Sequence, residues 1–470
     1  MASPTPQAIV IGSGSGGLTV AIGLSRIGRS AILVEDHHVG GDCTNVGCIP
    51  SKSLLHHSAD GTLPPAEALS QVRASRTALR DHETELVKTG TERLDFRVGR
   101  GRLLSPGRVE ITAPDGSTEI VEAPNVVVAT GSQPRSLEIP GLPSEMLLTN
   151  NNLFELGTAP EHLAIIGGGP IGVEMATAFR RMGSQVTLVE FLPQILTQLL
   201  PEPAAILHRS LEAMGVRIEV AAKATAFEAA TGTLLVEPVD GANPVAPISS
   251  VDAVLVSVGR VPNSKDLGLE VLDVAMDKSG RIVIDAKGRT NVAGLWACGD
   301  VTDRGGTTHA AGAWGRRILR AMVSGPLPMP DVPPIPAAVF GDPEAAWIGE
   351  QPVEVPSDVR RITVETSDID RSYTDQAGEG IVIVDVRRLT GKILGATIVG
   401  PRAGELIGTV SLSMKTDVPF HKWYGTVWPY PTYSDGLSRA VDAYIAEALP
   451  SVHKDALRWA LGRAKSLIKR

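Results

Sequence analysis

One pattern occurs twice in this chain at a fixed separation. "AIVIGSGSGG" is a short apolar strand running into a glycine turn, with Gly12, Gly14 and Gly17 spaced as G-x-G-x-x-G. A helical pattern follows, then a second apolar strand, "SAILVE", closing on Glu35. "LAIIGGGPIGVEMATAFRRMGSQVTLVE" repeats the arrangement with Gly167, Gly169, Gly172 and Glu190, each 155 residues after its counterpart. The first glycine permits the tight turn, the second lets backbone approach a pyrophosphate, and the third lets the helix close on the strand. The helix start offers unpaired N–H groups and a positive dipole to phosphate. The acid at the tip of the next strand suits ribose hydroxyls. An ordinary strand–turn–helix explains one copy, but not fingerprint and acid together twice. Two βαβ units are expected, each holding a dinucleotide. A carboxylate at Glu190 pairs with a free 2′-hydroxyl and repels a 2′-phosphate; Arg180 and Arg181 fall on the intervening helix, so NADH is expected over NADPH.

The rest of the chain fits an α/β protein. Glycine is abundant and aromatic residues make up only 4% of the 470 residues, which favours many tight strand-to-helix turns. The net charge of −8 gives a nucleic-acid partner no general attraction. No apolar run reaches the roughly 18 residues of a membrane span. "MASPTPQAIVIG" has no charged n-region and enters a strand directly, so a reducing cytoplasm is the default expectation. Buried strands ending in turns are predicted at "NVVVATGSQPR", "AVLVSVGRVPN" and "GLWACGDVT". Ligands of open α/β sheets bind at such carboxyl ends, and Asp300 suits a polyol hydroxyl there. Thr307 or Thr308 is the expected cap of the helix that follows. "GPLPMPDVPPIPAAVF" reads as a linker into an α+β domain. The expected organisation is 1–155, 156–280, 281–330 returning to the first unit, 331–448, and a basic amphipathic helix at 449–470. In that helix a stripe of Leu457, Ala460, Leu461, Ala464 and Ile468 is consistent with docking on the protein itself, or with contact to an anionic membrane surface through 451–470.

"GGDCTNVGCIPSK" carries Cys43 and Cys48, two of three cysteines. Three cysteines make no secreted disulfide framework, which argues against a staple. A zinc motif brings a second ligand pair, whereas only His56 and His57 are close here. A redox role fits better. Residues five apart in a helix rise about 7.5 Å, whereas bridged Cα atoms lie roughly 4.4–6.8 Å apart. A Cys43–Cys48 bridge therefore needs a distorted turn, which Gly47 and Pro50 can supply. Lys52 follows Cys48 by one helical turn, where a cation could stabilise a thiolate or a reduced flavin. Cys298, inside a buried strand pattern, reads as a small hydrophobe.

Taken in order, "IGSGSGG", Glu35, "GGDCTNVGCIPSK", "ATG", "GGGPIGVEMA", "VGRVPN" and "ACGDV" resemble the class I pyridine nucleotide-disulfide oxidoreductases, such as dihydrolipoamide dehydrogenase, glutathione reductase and mercuric reductase. The resemblance implies two Rossmann-like dinucleotide-binding domains plus a C-terminal α+β dimerisation domain, with FAD on the first unit and a nicotinamide on the second. It implies a homodimer with a shared active site. Cys48 would be the thiol beside the flavin and Cys43 the outer, interchange thiol. Lys52 would sit near the flavin, paired with Glu174. FAD contacts would fall on Gly12, Gly14, Ser15, Gly16, Gly17, Glu35, Asp36, Gly41, Thr44, Lys52, Thr130, Gly131, Ser132, Gly299, Asp300, Thr308, His309 and Ala310. Nicotinamide contacts would fall on Gly167, Gly169, Ile171, Gly172, Glu190 and Gly259. No resident metal is implied.

The likeness breaks at one place. Disulfide-reducing members carry "HPTxxE", whose His is the acid/base and whose Glu orients it. Here "YPTYSD" puts Tyr430 at the His position and Asp435 at the Glu position. A phenol with an ordinary pKa near 10 is a poor proton shuttle at neutral pH beside an imidazole near 6.5. Mercuric reductases share the Tyr, but they also carry a C-terminal cysteine pair, and this chain has no cysteine after Cys298. The expected function is transfer of a hydride from NAD(P)H through FAD to the Cys43–Cys48 disulfide, and on to a small disulfide or other thiol-reactive acceptor. A mercuric-type metal-ion reductase, a dithiol oxidase and a membrane-associated redox sensor are the alternatives.

Overall fold

The computed structural model describes residues 6–89, 92–239, 241, 243–325 and 327–448. The basic helix expected at 449–470, and the membrane contact expected through 451–470, lie outside the described residues. In chain order the α-helices are α1 (Ser15–Arg26), α2 (Gly41–Asn45), α3 (Cys48–His57), α4 (Pro65–Thr89), α5 (Pro170–Arg181), α6 (Pro201–Ala213), α7 (Thr308–Ser324), α8 (Asp370–Asp375), α9 (Ala403–Lys415) and α10 (Asp435–Ala448). The described residues form two compact units: 6–161 with 181–184 and 252–332, and 162–180 with 185–251 and 333–448.

The first unit is built on a five-stranded parallel sheet. Its order is Leu295–Ala297, Val126–Val128, β1 (Ala8–Ile11), β2 (Ala31–Glu35) and β3 (Leu94–Val98). β1 and β2 are buried at every residue, the continuous apolar run of a sheet covered on both faces. Val10 pairs Leu33 on one side and Val127 on the other, so the first fingerprint leaves from the middle of the sheet. An antiparallel three-stranded sheet, Arg100–Ser105, Arg108–Thr112 and Thr118–Glu122, follows β3.

Glycine lets α1 and α7 come together. A Cβ at Gly315 would stand 2.7 Å from the Gly16 carbonyl, and one at Gly16 would stand 2.7 Å from Cys298 Sγ. Cys298 is fully buried, and burial pushes its thiol up to about 12. It lies just past its strand and acts as the small hydrophobe expected. The cap of α7 is Thr307, whose hydroxyl accepts from Ala310 N at 3.3 Å.

In the second unit, His162–Ile166, Gln185–Val189 and Arg217–Glu219 lie parallel and carry the second fingerprint. A hairpin, Ala222–Glu228 with Thr233–Pro238, follows. The C-terminal part is an antiparallel sheet ordered Ala337–Val339, Ala345–Gly349, Ile393–Val399, Ile381–Arg387 and Val359–Glu365. Ile407 and Val410 of α9 and Leu437 and Val441 of α10 close its core over Ile348, Val384 and Ile398. The proline-dense stretch read as a linker ends in the first of these strands. The architecture is the predicted one: parallel α/β dinucleotide folds followed by an α+β domain. No helix among the described residues is long and apolar enough to cross a membrane.

Candidate active site

Gly12 sits at φ +100°, and a Cβ there would be 2.4 Å from the Ala129 carbonyl oxygen. Gly17 closes α1 onto that turn so tightly that a Cβ would come within 1.9 Å of the Gly12 carbonyl oxygen. Gly14, the N-cap of α1, has the opposite surroundings. No protein atom lies within 4 Å of a Cβ built on it, and no side chain caps the helix. A bare helix start beside open space at the carboxyl edge of a parallel sheet fits a pyrophosphate. Gly169 and Gly131 face equally open space.

The two acids repeat one hydrogen-bond scheme. Glu35 Oε2 accepts from Ser13 N at 2.8 Å and Ser13 Oγ at 2.7 Å, and Oε1 accepts from His37 N at 2.9 Å. Glu190 Oε2 accepts from Gly168 N at 2.6 Å and Oε1 from Leu192 N at 2.7 Å. Each donor pair is the residue after the first glycine and the residue two past the acid. The carboxylate thus ties the fingerprint turn to the neighbouring strand tip. Burial raises the pKa of Glu35, and the three hydrogen bonds oppose that rise. Arg180, the cation nearest in sequence to Glu190 apart from Arg181, donates Nε to the Met214 carbonyl at 2.7 Å.

The cysteine segment is laid on the first fingerprint. A Cβ at Gly41 would stand 2.9 Å from Gly14 Cα, and Gly40 N donates to the Ser13 carbonyl at 3.1 Å. Cys43 lies in α2, and Cys48 is the first residue of α3. Gly47 between them leaves no room for a side chain: a Cβ would be 2.9 Å from the Asp42 carbonyl and 3.3 Å from Cys43 Cα. Both thiols are half-buried. Cys48 Sγ lies 3.3 Å from Thr308 Oγ1 at the start of α7. A hydrogen bond with Cys48, then burial, pushes the Cys43 thiol far above its ordinary range. Lys52 stands one turn past Cys48, its Nζ donating to Ser51 Oγ at 3.3 Å.

The structure adds partners that no motif announced. Asp300 Oδ2 accepts from Ser132 Oγ at 2.9 Å and Oδ1 from Gly306 N at 2.8 Å. Ser132 in turn accepts from Arg260, Nε to Oγ and Nη2 to the carbonyl, both at 2.7 Å. The same guanidinium pairs with Asp42, next to Cys43. Asn150 Nδ2 donates to the Val46 carbonyl at 3.2 Å, and Thr44 Oγ1 donates to Glu83 Oε2 at 3.0 Å. Thr130 and Asn263 exchange two bonds, 2.7 and 2.9 Å. Arg260 therefore links the cysteine turn to the Asp300 turn. Arg260→Ala should cost about 2 kcal/mol, because charge-assisted bonds lose their donor. Asp42→Asn, breaking an exposed pair, should cost under about 1 kcal/mol. Thermal unfolding of the holoenzyme checks both; equal losses would remove the linking role.

The first unit thus assembles Gly12, Gly14, Gly17, Glu35, Gly41, Cys43, Cys48, Thr130, Ser132, Asp300 and Thr308. Ser15 and Gly16 open α1, Asp36 follows Glu35, and Gly299 precedes Asp300 in the turn after Ala297. His309 Nε2 lies 3.1 Å from Thr307 Oγ1, and Ala310 N is held by the same hydroxyl. Gly259, assigned to the nicotinamide from sequence, lies in the first unit at φ +109° and accepts from Arg135 N. The second unit carries Gly167, Gly169, Ile171, Gly172, Glu190, Glu174, Tyr430 and Asp435. Glu174 is 4% exposed and accepts from Phe340 N at 3.1 Å. Tyr430 donates to Asp370 at 2.9 Å, whereas Asp435 accepts from Arg439 at 2.8 Å. Among the described residues, no group of three or more His, Cys, Asp or Glu is placed to hold a metal ion.

Comparison with known proteins agrees with this geometry. Residues 6–315 match the family described as pyridine nucleotide-disulphide oxidoreductase, and 335–441 match its dimerisation domain. The chain is 31% identical over 459 residues to the mitochondrial dihydrolipoyl dehydrogenase of Dictyostelium discoideum, covering 93% of this chain and 94% of that one. It is similar to the HOCl-induced flavoprotein disulfide reductase RclA of Escherichia coli, solved as a Cu(II) complex, with 25% identity, TM-score 0.85, and 94% and 99% of the two chains covered. LpdA of Mycobacterium tuberculosis matches with 26% identity, TM-score 0.84, and 93% and 99% covered.

Proposed function

The chain belongs to the pyridine nucleotide-disulphide oxidoreductase family, and on that premise we propose that Cys43 and Cys48 are the pair through which it reduces a small disulfide or another thiol-reactive acceptor. It is an FAD-dependent NAD(P)H:disulfide oxidoreductase, as its family match and relatives support. One observation carries the assignment: Cys48 begins α3, hydrogen-bonded to Cys43, on a segment seated against Gly14.

When bound, FAD supplies two-electron transfer from the nicotinamide to the disulfide. The residues present suit it: Gly14 leaves room for the pyrophosphate, Glu35 closes the ribose end, and Asp300 suits the ribityl hydroxyls. Glu190 and Gly169 would hold the nicotinamide nucleotide. Lys52, one turn past Cys48, would place a cation beside the thiolate. In the reduced pair the proton stays on Cys43, whose thiol is pushed up. Cys48 then takes the thiolate, favoured by the positive end of α3. Cys43 passes that proton to the leaving sulfur as it attacks the other sulfur of the acceptor disulfide, so the first product leaves as a thiol. The Cys48 thiolate attacks Cys43 and expels the second sulfur as a thiolate, which takes a proton from water, and the Cys43–Cys48 bond is restored. The net change is NAD(P)H, a proton and one disulfide to NAD(P)⁺ and two thiols. A homodimer, supported by the dimerisation domain, would bring Tyr430 of the partner subunit to the acceptor. The functional division would follow 1–155, 156–280, 281–330 and 331–448, in the reducing cytoplasm that three cysteines suit.

Stopped-flow reduction by NADH followed by a panel of disulfides, metal ions and quinones tests the proposal. Reoxidation by disulfides is expected; reoxidation by quinones alone would sink it. Tyr430 and the Cu(II) complex of RclA favour a second reading, reduction of a thiophilic metal ion as substrate. Cu²⁺- or Hg²⁺-dependent NADH oxidation lost in Tyr430→Phe would support that reading, and mere inhibition by the metals would exclude it.

NADH is the expected donor. No Arg or Lys occurs from Glu190 to Leu200, so a 2′-phosphate would meet the Glu190 carboxylate with no cation supplied by the segment that follows it. kcat/KM should favour NADH over NADPH by at least about tenfold, or ~1.4 kcal/mol, and Glu190→Gln should narrow the ratio. An unchanged ratio would place the ribose elsewhere.

A further inference from the structure

Tyr430 and Asp435 stand where the family resemblance sets a histidine and the glutamate that orients it, yet they are not hydrogen-bonded to each other. Tyr430 Oη donates to Asp370 Oδ2 at 2.9 Å. Asp370 opens α8, delivered there by the strand Val359–Glu365 and the short turn Thr366–Asp368. Its other oxygen accepts from Arg439 Nη2 at 3.3 Å. Arg439 Nε is bound to Asp435 Oδ2 at 2.8 Å, one turn back on α10. Arg439 thus bridges the two carboxylates, and the residue in the glutamate position reaches Tyr430 only through Arg439 and Asp370. Tyr430 remains 75% exposed.

We infer that Asp370 is the positioning residue of Tyr430: it engages the phenol's one proton and turns the oxygen lone pairs outward, toward whatever Tyr430 meets. This rests on the reading of Tyr430 as an acceptor-side group and deepens it. A phenol has a single O–H to donate, and here it is committed. The side chain then presents an acceptor, suited to an S–H or a positive charge rather than to a bare thiolate in need of a proton. The groups facing the phenol from α8 and α10 are Asp370, Asp435 and Arg439. The hydrogen bond to Asp370 and its charge, followed by Asp435, hold Tyr430 above its ordinary range. The neutral phenol is therefore the form present across the neutral pH range. The acceptor half-reaction should lack the limb near pH 6.5 that a histidine at this position would give.

The five tyrosines of the chain allow a direct test on the holoenzyme. With ζ-¹³C-tyrosine labelling, and the Tyr430 resonance assigned through Tyr430→Phe, each ionisation is followed against pH. Asp370→Asn should lower the Tyr430 ionisation by about one pH unit. It should raise KM for an aromatic disulfide severalfold while NADH still reduces the flavin at the wild-type rate. Asp370→Glu should restore both in part, which a merely structural role would not do. Asp435→Asn should move the ionisation less. The inference is overturned if Asp370→Asn leaves the Tyr430 titration unmoved, or if Asp435→Asn moves it as far. Acceptor turnover unchanged by Tyr430→Phe would instead remove Tyr430 from the acceptor side, and the titration would still report on Asp370.

Discussion

Cys48→Ser is expected to yield a protein that binds FAD and is reduced by NADH, but that turns over a disulfide acceptor about 10³-fold more slowly or worse, the scale seen when a covalent nucleophile is removed. Cys43→Ser should lose as much turnover and differ in its spectrum. Its remaining thiol is the first residue of α3, with the helix start to stabilise a thiolate against the flavin. A long-wavelength absorption band should therefore appear in Cys43→Ser at neutral pH before any reductant is added. It should be absent from Cys48→Ser, because the Cys43 thiol left behind lies inside α2 beside Asp42 and not at the start of α3. In the two-electron-reduced wild type the same band should appear, since the hydrogen bond to Cys48 keeps the proton on Cys43. Anaerobic titration with NADH, followed by absorbance, decides between the two roles. The band in Cys48→Ser would reverse the assignment, and wild-type turnover in either variant would mean that electrons leave by another route.

What is readable from sequence here divides by distance along the chain. The fingerprint turns are readable because their defining contacts are local: Gly17 against Gly12, and Glu35 against Ser13, 22 residues back. The repeat at Glu190 and Gly168 then follows at the same separation. Arg260 belongs to a motif that is easily seen, yet its work is invisible there. Ser132 is 128 residues away and Asp42 is 218, and only the folded sheet brings their turns together. Asp370 lies in no motif. It stands 60 residues before Tyr430, and a helix of six residues carries no periodicity to mark it. A substituted position shows in sequence as a departure, whereas the group that compensates for it shows only in space.

Gly14→Ala and Gly17→Ala add the same methyl group to the same turn, and opposite outcomes are expected. At Gly17 the new carbon would lie 1.9 Å from the Gly12 carbonyl oxygen. That obstacle is backbone within a buried sheet, so α1 must lift from β1. The loss should exceed about 3 kcal/mol, in the range reserved for severe core strain, and little holoenzyme should be recovered. At Gly14 the backbone is extended, φ −68° and ψ 178°, and a Cβ meets no protein atom within 4 Å. The apoprotein should unfold within about 0.5 kcal/mol of wild type. The methyl would occupy the space into which the bare start of α1 points, where a pyrophosphate is held by close backbone approach. FAD affinity should therefore fall about a hundredfold, or ~2.7 kcal/mol, measured by fluorescence of released flavin. Gly169→Ala, whose Cβ also meets open space, should raise KM for NADH and leave FAD bound, because it changes the other copy of the repeat. Should Gly14→Ala keep its FAD affinity, the open space beside α1 is not the phosphate cradle. The first fingerprint would then be explained by the packing of Gly17 on Gly12 alone.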